Sequence, residues 1–137
     1  MKYMILTYGS QQDYDGMSGK DGASVWTPGD FAAMGEFMEQ FNSDLAESGE
    51  LVETRALVDP LHTRRVSLEK GLPVVTDGPY AETQEVLAGY WIVEVENFDR
   101  ATELAARLAD CPAPDGVAAT AYADVRPIAE HREDLEL

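Results

Sequence analysis

Val74-Val75-Thr76-Asp77-Gly78-Pro79-Tyr80-Ala81-Glu82-Thr83-Gln84-Glu85 sets a sharp turn and a run of acidic and hydroxyl side chains between two strand-like segments. Asp77 can accept from backbone N–H groups two residues on, and Gly78 can take a positive φ. Pro79 fixes its own φ and keeps Gly78 out of the α region, so the backbone here is closely specified. On the C-terminal side, residues 87–96 form the most apolar strand of the chain, with Trp91, Val93 and Val95 on one face and Tyr90, Ile92, Glu94 and Glu96 on the other. On the N-terminal side, Arg64–Glu69 and Leu72–Thr76 read as a hairpin turned at Lys70-Gly71.

Outward from this centre, residues 2–8 alternate apolar groups on both faces and read as a central strand. Residues 9–26, with Gly9, Gly16, Gly19 and Gly22 among polar residues, read as a long loop from which Met17 and Trp26 pack down. Thr27 and Pro28 give a helix start, and Phe31, Met34, Met38, Phe41 and Leu45 form one apolar stripe before a Gly49 cap. Leu51–Val58 is a further strand, closed by Pro60. Asn97 caps a helix whose Ala101, Leu104, Ala105 and Leu108 face inward, and residues 117–128 alternate as a last strand. The charged tail 129–137 follows a domain of residues 1–128, and is expected to fray.

Strand, helix, strand, hairpin, strand, helix, strand amounts to two β-α-β halves. The expected fold is α+β, a ferredoxin-like antiparallel sheet with two helices on one face. The other face would carry Tyr90, Ile92, Glu94, Tyr122, Arg126 and Arg55, too apolar a mixture to leave to water, so something is expected to cover it.

The 137 residues suit one domain with one core. With 26 acidic against 10 basic residues, the net charge of −16 argues against partnership with nucleic acid or an anionic membrane. The apolar start is too short for a signal peptide, and no apolar run approaches the roughly 20 residues that span a bilayer; a cytoplasmic location is expected. A lone Cys111 offers neither a disulfide nor a metal set, and no phosphate loop or other cofactor motif is present, so no metal and no cofactor are expected.

The candidate catalytic residues are Asp77 and His62. Carboxylates held close together can divide acid and base roles, and histidine ordinarily changes charge near neutrality. For Asp77 the competing architectural role is a bond to its own turn. Tyr8, Arg55, Tyr80 and Glu82 are the expected ligand-binding groups.

The run Asp77–Glu85 resembles the signature of YCII-related proteins of the DGPF branch, usually Asp-Gly-Pro-Phe-Ala-Glu-Thr-Lys-Glu, with Tyr80 and Gln84 departing from it. The resemblance takes in Met1–Leu6 and Gly89–Val93 and extends over most of residues 1–127. It implies pairing as a dimeric α/β barrel with a cleft between sheet and loops. Similar barrels hold isomerases, dehydrochlorinases and monooxygenases that act on small polar or aromatic molecules without a bound metal. Better-studied YCII proteins pair a His near the start of the first helix with an Asp; Phe31 and Met34 occupy that region here, so this dyad does not carry over. Two readings follow: a metal-independent enzyme or binder of a small molecule, and a regulatory or ligand-sensing protein that partners an extracytoplasmic-function sigma factor.

Overall fold

The structure is a computed structural model that describes residues 1–19 and 25–136. Strands β1 (Lys2–Gly9), β2 (Leu51–Ala56), β5 (Val86–Glu94) and β6 (Ala123–Pro127) form one antiparallel sheet in the order β2-β5-β1-β6, and β3 (Arg64–Glu69) pairs with β4 (Leu72–Asp77) as a separate hairpin. This is the ferredoxin-like order. β1 and β5 occupy the centre because both alternate large apolar groups, in a register that sets Ile5 opposite Trp91 and Tyr3 opposite Val93.

Helices α2 (Pro28–Glu47) and α3 (Phe98–Ala109) cover one sheet face. The core joins Phe41 and Leu45 of α2, the α3 stripe Ala101, Leu104, Ala105 and Leu108, and Tyr3, Ile5, Trp91, Val93 and Val95 of the sheet. Trp91 meets Phe41 edge-on at 5.8 Å and donates its indole N–H to Asn42 Oδ1 at 2.8 Å, so the ring is buried with its polar atom paired. The helix starts follow the sequence. Thr27 and Asp30 bond reciprocally as a capping box, and Asn97 Oδ1 accepts the Arg100 N–H. Gly49 ends the first of these helices at φ +78°. On the opposite face, Met4, Leu6, Tyr90 and Ile92 are half-buried, on the side of the sheet away from the core that α2 and α3 complete.

Two expectations need correction. The segment 9–26 is not one loop: residues 11–18 form a further helix, α1 (Gln11–Ser18), while residues 20–24 lie outside the described residues. Ser10 Oγ accepts the Asp13 N–H at 3.1 Å, Asp13 returns a bond to the Ser10 N–H at 2.9 Å, and Gly19 closes the helix in the left-handed region. The capping pair and tertiary contacts outweigh the poor intrinsic propensity of a stretch holding Gly16. Met17 and Trp26 are half-buried, Trp26 stacking on Phe31 at 5.1 Å.

The last strand is also shorter than 117–128. Residues Asp115–Ala118 turn into a short helix, α4, after Pro114, and only Ala123–Pro127 pair with β1. Ala119, Ala121 and Ala123 alternating with Thr120 and Tyr122 mimicked a strand period there, but the chain turns after Pro114, whose carbonyl accepts the Val117 and Ala118 N–H groups at 2.9 Å. The tail holds a short 3-10 turn at Arg132–Glu136, and Lys2 pairs with Glu130 at 3.4 Å.

Candidate functional site

The chain leaving β2 runs through Leu57 and Val58 into Asp59-Pro60, and a single 3-10 turn, Pro60–His62, swings His62 back beside Asp59. Pro60 is buried and fixes the turn, the Asp59 carbonyl accepts the His62 N–H at 3.1 Å, and the carboxylate Oδ1 of Asp59 bonds Nδ1 of His62. The two partners differ in exposure: the Asp59 side chain is 15% exposed and the His62 ring 68%. A sheltered carboxylate on Nδ1 favours the tautomer in which Nδ1 carries the proton and Nε2 is the bare nitrogen.

Helix α1 completes one wall. Gln11 ties it to the turn, donating to Asp15 Oδ1 at 2.9 Å and Asp59 Oδ2 at 3.0 Å while accepting the Leu61 N–H at 2.8 Å. Tyr14 donates its hydroxyl to the Leu57 carbonyl at 2.9 Å. Burial, and then the nearby Asp59 carboxylate, push the Tyr14 phenol above its ordinary value, so it stays a donor across the physiological range. Between these parts lies an open cleft of about 460 Å³, lined by Tyr14, Asp15, Ser18, Val58, Asp59 and His62. A second hollow of about 400 Å³ adjoins it through His62 and is lined by Leu61, Thr63, Arg64 and Asp77 as well.

His62 and Asp77, the two expected catalytic residues, therefore border one hollow. Asp77 behaves differently from the sequence expectation: its Oδ1 accepts Nε of Arg64 at 2.8 Å, across the first register pair of the hairpin, with both side chains largely exposed. The turn is held by backbone instead, since Gly78 at φ +57° donates its N–H to the Thr63 carbonyl at 2.8 Å. Tyr80 packs under the Arg65 guanidinium, 5.4 Å from ring centroid to cation. The Glu82 side chain is exposed, and its carbonyl accepts the Gln12 N–H at 3.0 Å, which anchors α1 to the signature loop.

Tyr8 and Arg55 belong elsewhere, on the open sheet face. Tyr8 stacks on Tyr122 at 5.4 Å and donates to Asp124 at 2.8 Å, while Tyr122 donates to Glu85 at 2.7 Å. Arg55 stands opposite Tyr90 and pairs with Glu53 at 3.5 Å. Sequence reasoning missed Asp59, Tyr14, Gln11 and Asp15. For Asp59 the signal was present: Asp-Pro-x-His places a carboxylate and an imidazole three residues apart around a turn that proline enforces. Among the described residues no group of three or more His, Cys, Asp and Glu is arranged to hold a metal ion, and no helix is long and apolar enough to cross a membrane.

The fold defines a small ferredoxin-like α+β protein whose candidate cleft lies where α1 meets the turn after β2. The YCII-related domain family matches residues 1–129, and the chain belongs to that family. It is 24% identical over 132 residues to an uncharacterised protein of Rhizobium meliloti (strain 1021), an alignment that covers 96% of this chain and 95% of the relative.

Proposed function

We propose that the protein binds a small polar or aromatic molecule in the cleft beside His62 and moves a proton with the Asp59–His62 pair as general acid–base, without a metal. The observation that carries this is the contact between a sheltered carboxylate and an exposed imidazole at the edge of a cleft of about 460 Å³. In that role Nε2 of His62 accepts a proton from a bound weak acid, Asp59 stabilises the resulting imidazolium, and the same nitrogen returns the proton to another atom of the ligand. The Tyr14 ring and Val58 offer apolar walls, and the exposed Arg64–Asp77 pair offers charge of both signs at the neighbouring hollow.

The same reading includes a homodimer paired through the open sheet face, supported by Met4, Leu6, Tyr90 and Ile92, which lie on the side away from both helices. Light scattering at micromolar concentration tests it: the expected mass is twice 15.0 kDa. For the site, a fragment library screened by amide chemical-shift mapping is expected to yield polar aromatic hits that move Tyr14, Val58 and His62 together. Hits confined to the Tyr8–Tyr122 region would transfer the function to the sheet face.

The net charge of −16 favours one other reading, a regulatory protein that docks on the basic surface of a sigma factor. A pull-down with a purified extracytoplasmic-function sigma factor separates the two.

A further inference from the structure

The β3–β4 hairpin has no counterpart in the core. All six residues of each strand are exposed. Its register sets Val66 opposite Val75 and Leu68 opposite Pro73, so these four share one face of the ribbon; Val66 is 64%, Leu68 73% and Val75 55% exposed. The other face carries Leu72, 69% exposed, and Val74. An isolated two-stranded hairpin is marginal in water, and this one shows apolar groups on both faces. Such a sequence is explained if a surface of another molecule covers it.

Charge indicates which molecule. Three of the chain's ten Lys and Arg (Arg64, Arg65, Lys70) lie within residues 64–77 against two of its 26 acids (Glu69, Asp77), which leaves +1 on the hairpin and −17 on the rest of the chain. The arm is the locally basic part of an otherwise strongly acidic protein, complementary to the body of a second copy and able to lessen the repulsion between two such bodies. Size indicates how it acts. Six residues per strand make a ribbon about 20 Å long and about 10 Å wide. Two arms, each laying one face of roughly 200 Å² on a matching area, bury about 800 Å², short of the roughly 1,200 Å² of a specific interface. The arms therefore supplement a larger contact, and the open sheet face is the available one.

We infer that hairpin β3–β4 is a dimerisation arm that lays its Val66, Leu68, Pro73 and Val75 face on a second copy of this chain, reciprocally about a two-fold axis. The inference rests on the sheet-face homodimer read above. Reciprocity matters because a two-fold arrangement closes the assembly, whereas a one-way arm would build filaments.

Sedimentation over a concentration series separates the two ideas, using the full chain, the double variant Val66→Asp/Val75→Asp and the sheet-face variant Ile92→Arg. Both hairpin positions are exposed, so the double variant is expected to keep the wild-type far-UV circular dichroism; Leu68→Asp serves as a second hairpin variant. The arm predicts a dimer Kd at least tenfold weaker for the hairpin variants. A Kd equal to wild type in folded hairpin variants overturns the arm and, if Ile92→Arg dissociates, leaves the sheet-face dimer standing. The converse pattern, in which only the hairpin variants dissociate, keeps the arm and moves the larger contact it supplements off the sheet face, and a wild-type monomer at 10-fold above micromolar concentration overturns both.

Discussion

Arg100 grips Glu50 with two hydrogen bonds, Nε to Oε2 and Nη2 to Oε1, each 2.9 Å, tying α3 to the residue that leads into β2. The bond from Arg100 is the main cause that holds the Glu50 carboxyl below its usual range, against the opposing effect of burial, and Ser48 adds a further donor. A depressed folded value means that the pair stabilises the protein fully above the unfolded glutamate value of about 4.3 and loses that effect as pH falls through the lower folded value. Glu50→Gln is expected to cost about 1–2 kcal/mol at neutral pH, the exposed side of Arg100 limiting the effect. Urea melts at several pH values check this: the gap to wild type should stay level from about pH 8 to pH 5 and close below about pH 4. A gap that does not narrow as pH falls below the unfolded glutamate value contradicts the assignment.

Tyr122 and Glu85 give a spectroscopic test of the open sheet face. The hydrogen bond to Glu85, followed by partial burial and the neighbouring acids, raises the Tyr122 phenol to about 12. Tyr8, Tyr14 and Tyr90 are raised as well, so ultraviolet titration of tyrosinate should show several late-ionising residues, and Glu85→Gln should return the Tyr122 share toward the ordinary range near 10. An unchanged titration curve in the variant rejects the bond.

At the signature turn, Gly78 rather than Asp77 is expected to govern stability. A side chain at Gly78 would sit at φ +57° with its Cβ 3.3 Å from the Leu61 carbonyl oxygen, so Gly78→Ala should cost at least about 1–2 kcal/mol. Asp77→Ala removes only an exposed ion pair with Arg64 and should leave the urea midpoint unchanged. A large loss in Asp77→Ala together with a neutral Gly78→Ala reverses this order.

The elements with long apolar periodicity were legible in the sequence: the α3 stripe, the two central strands and both capped helix starts follow directly from residue spacing. Helix α1 was not, because Gly16 and the polar run hide it, and the Ser10–Asp13 capping pair was the one local sign. The end of the chain misled for the opposite reason, since Ala119, Ala121 and Ala123 alternating with Thr120 and Tyr122 imitate a strand that begins only at Ala123. His62 and Asp77 were recognisable by residue type. Their surroundings were not, because Tyr14 and Gln11 reach the turn only through the folding of α1 against it, about fifty residues away in sequence. Tyr8 and Arg55 lie on the open sheet face, outside the lining of the hollow that His62 and Asp77 share.

The most direct measurement of the central claim is the tautomer of His62, read from long-range ¹⁵N–¹H correlations of the imidazole at about pH 8.5, above the ordinary histidine range. With Asp59 bonded to Nδ1, the account predicts a proton on Nδ1 and a bare Nε2 in wild type, lost in Asp59→Asn, with exposed His131 as the comparison. A His62 spectrum that matches His131 and does not respond to Asp59→Asn would contradict the acid–base pair.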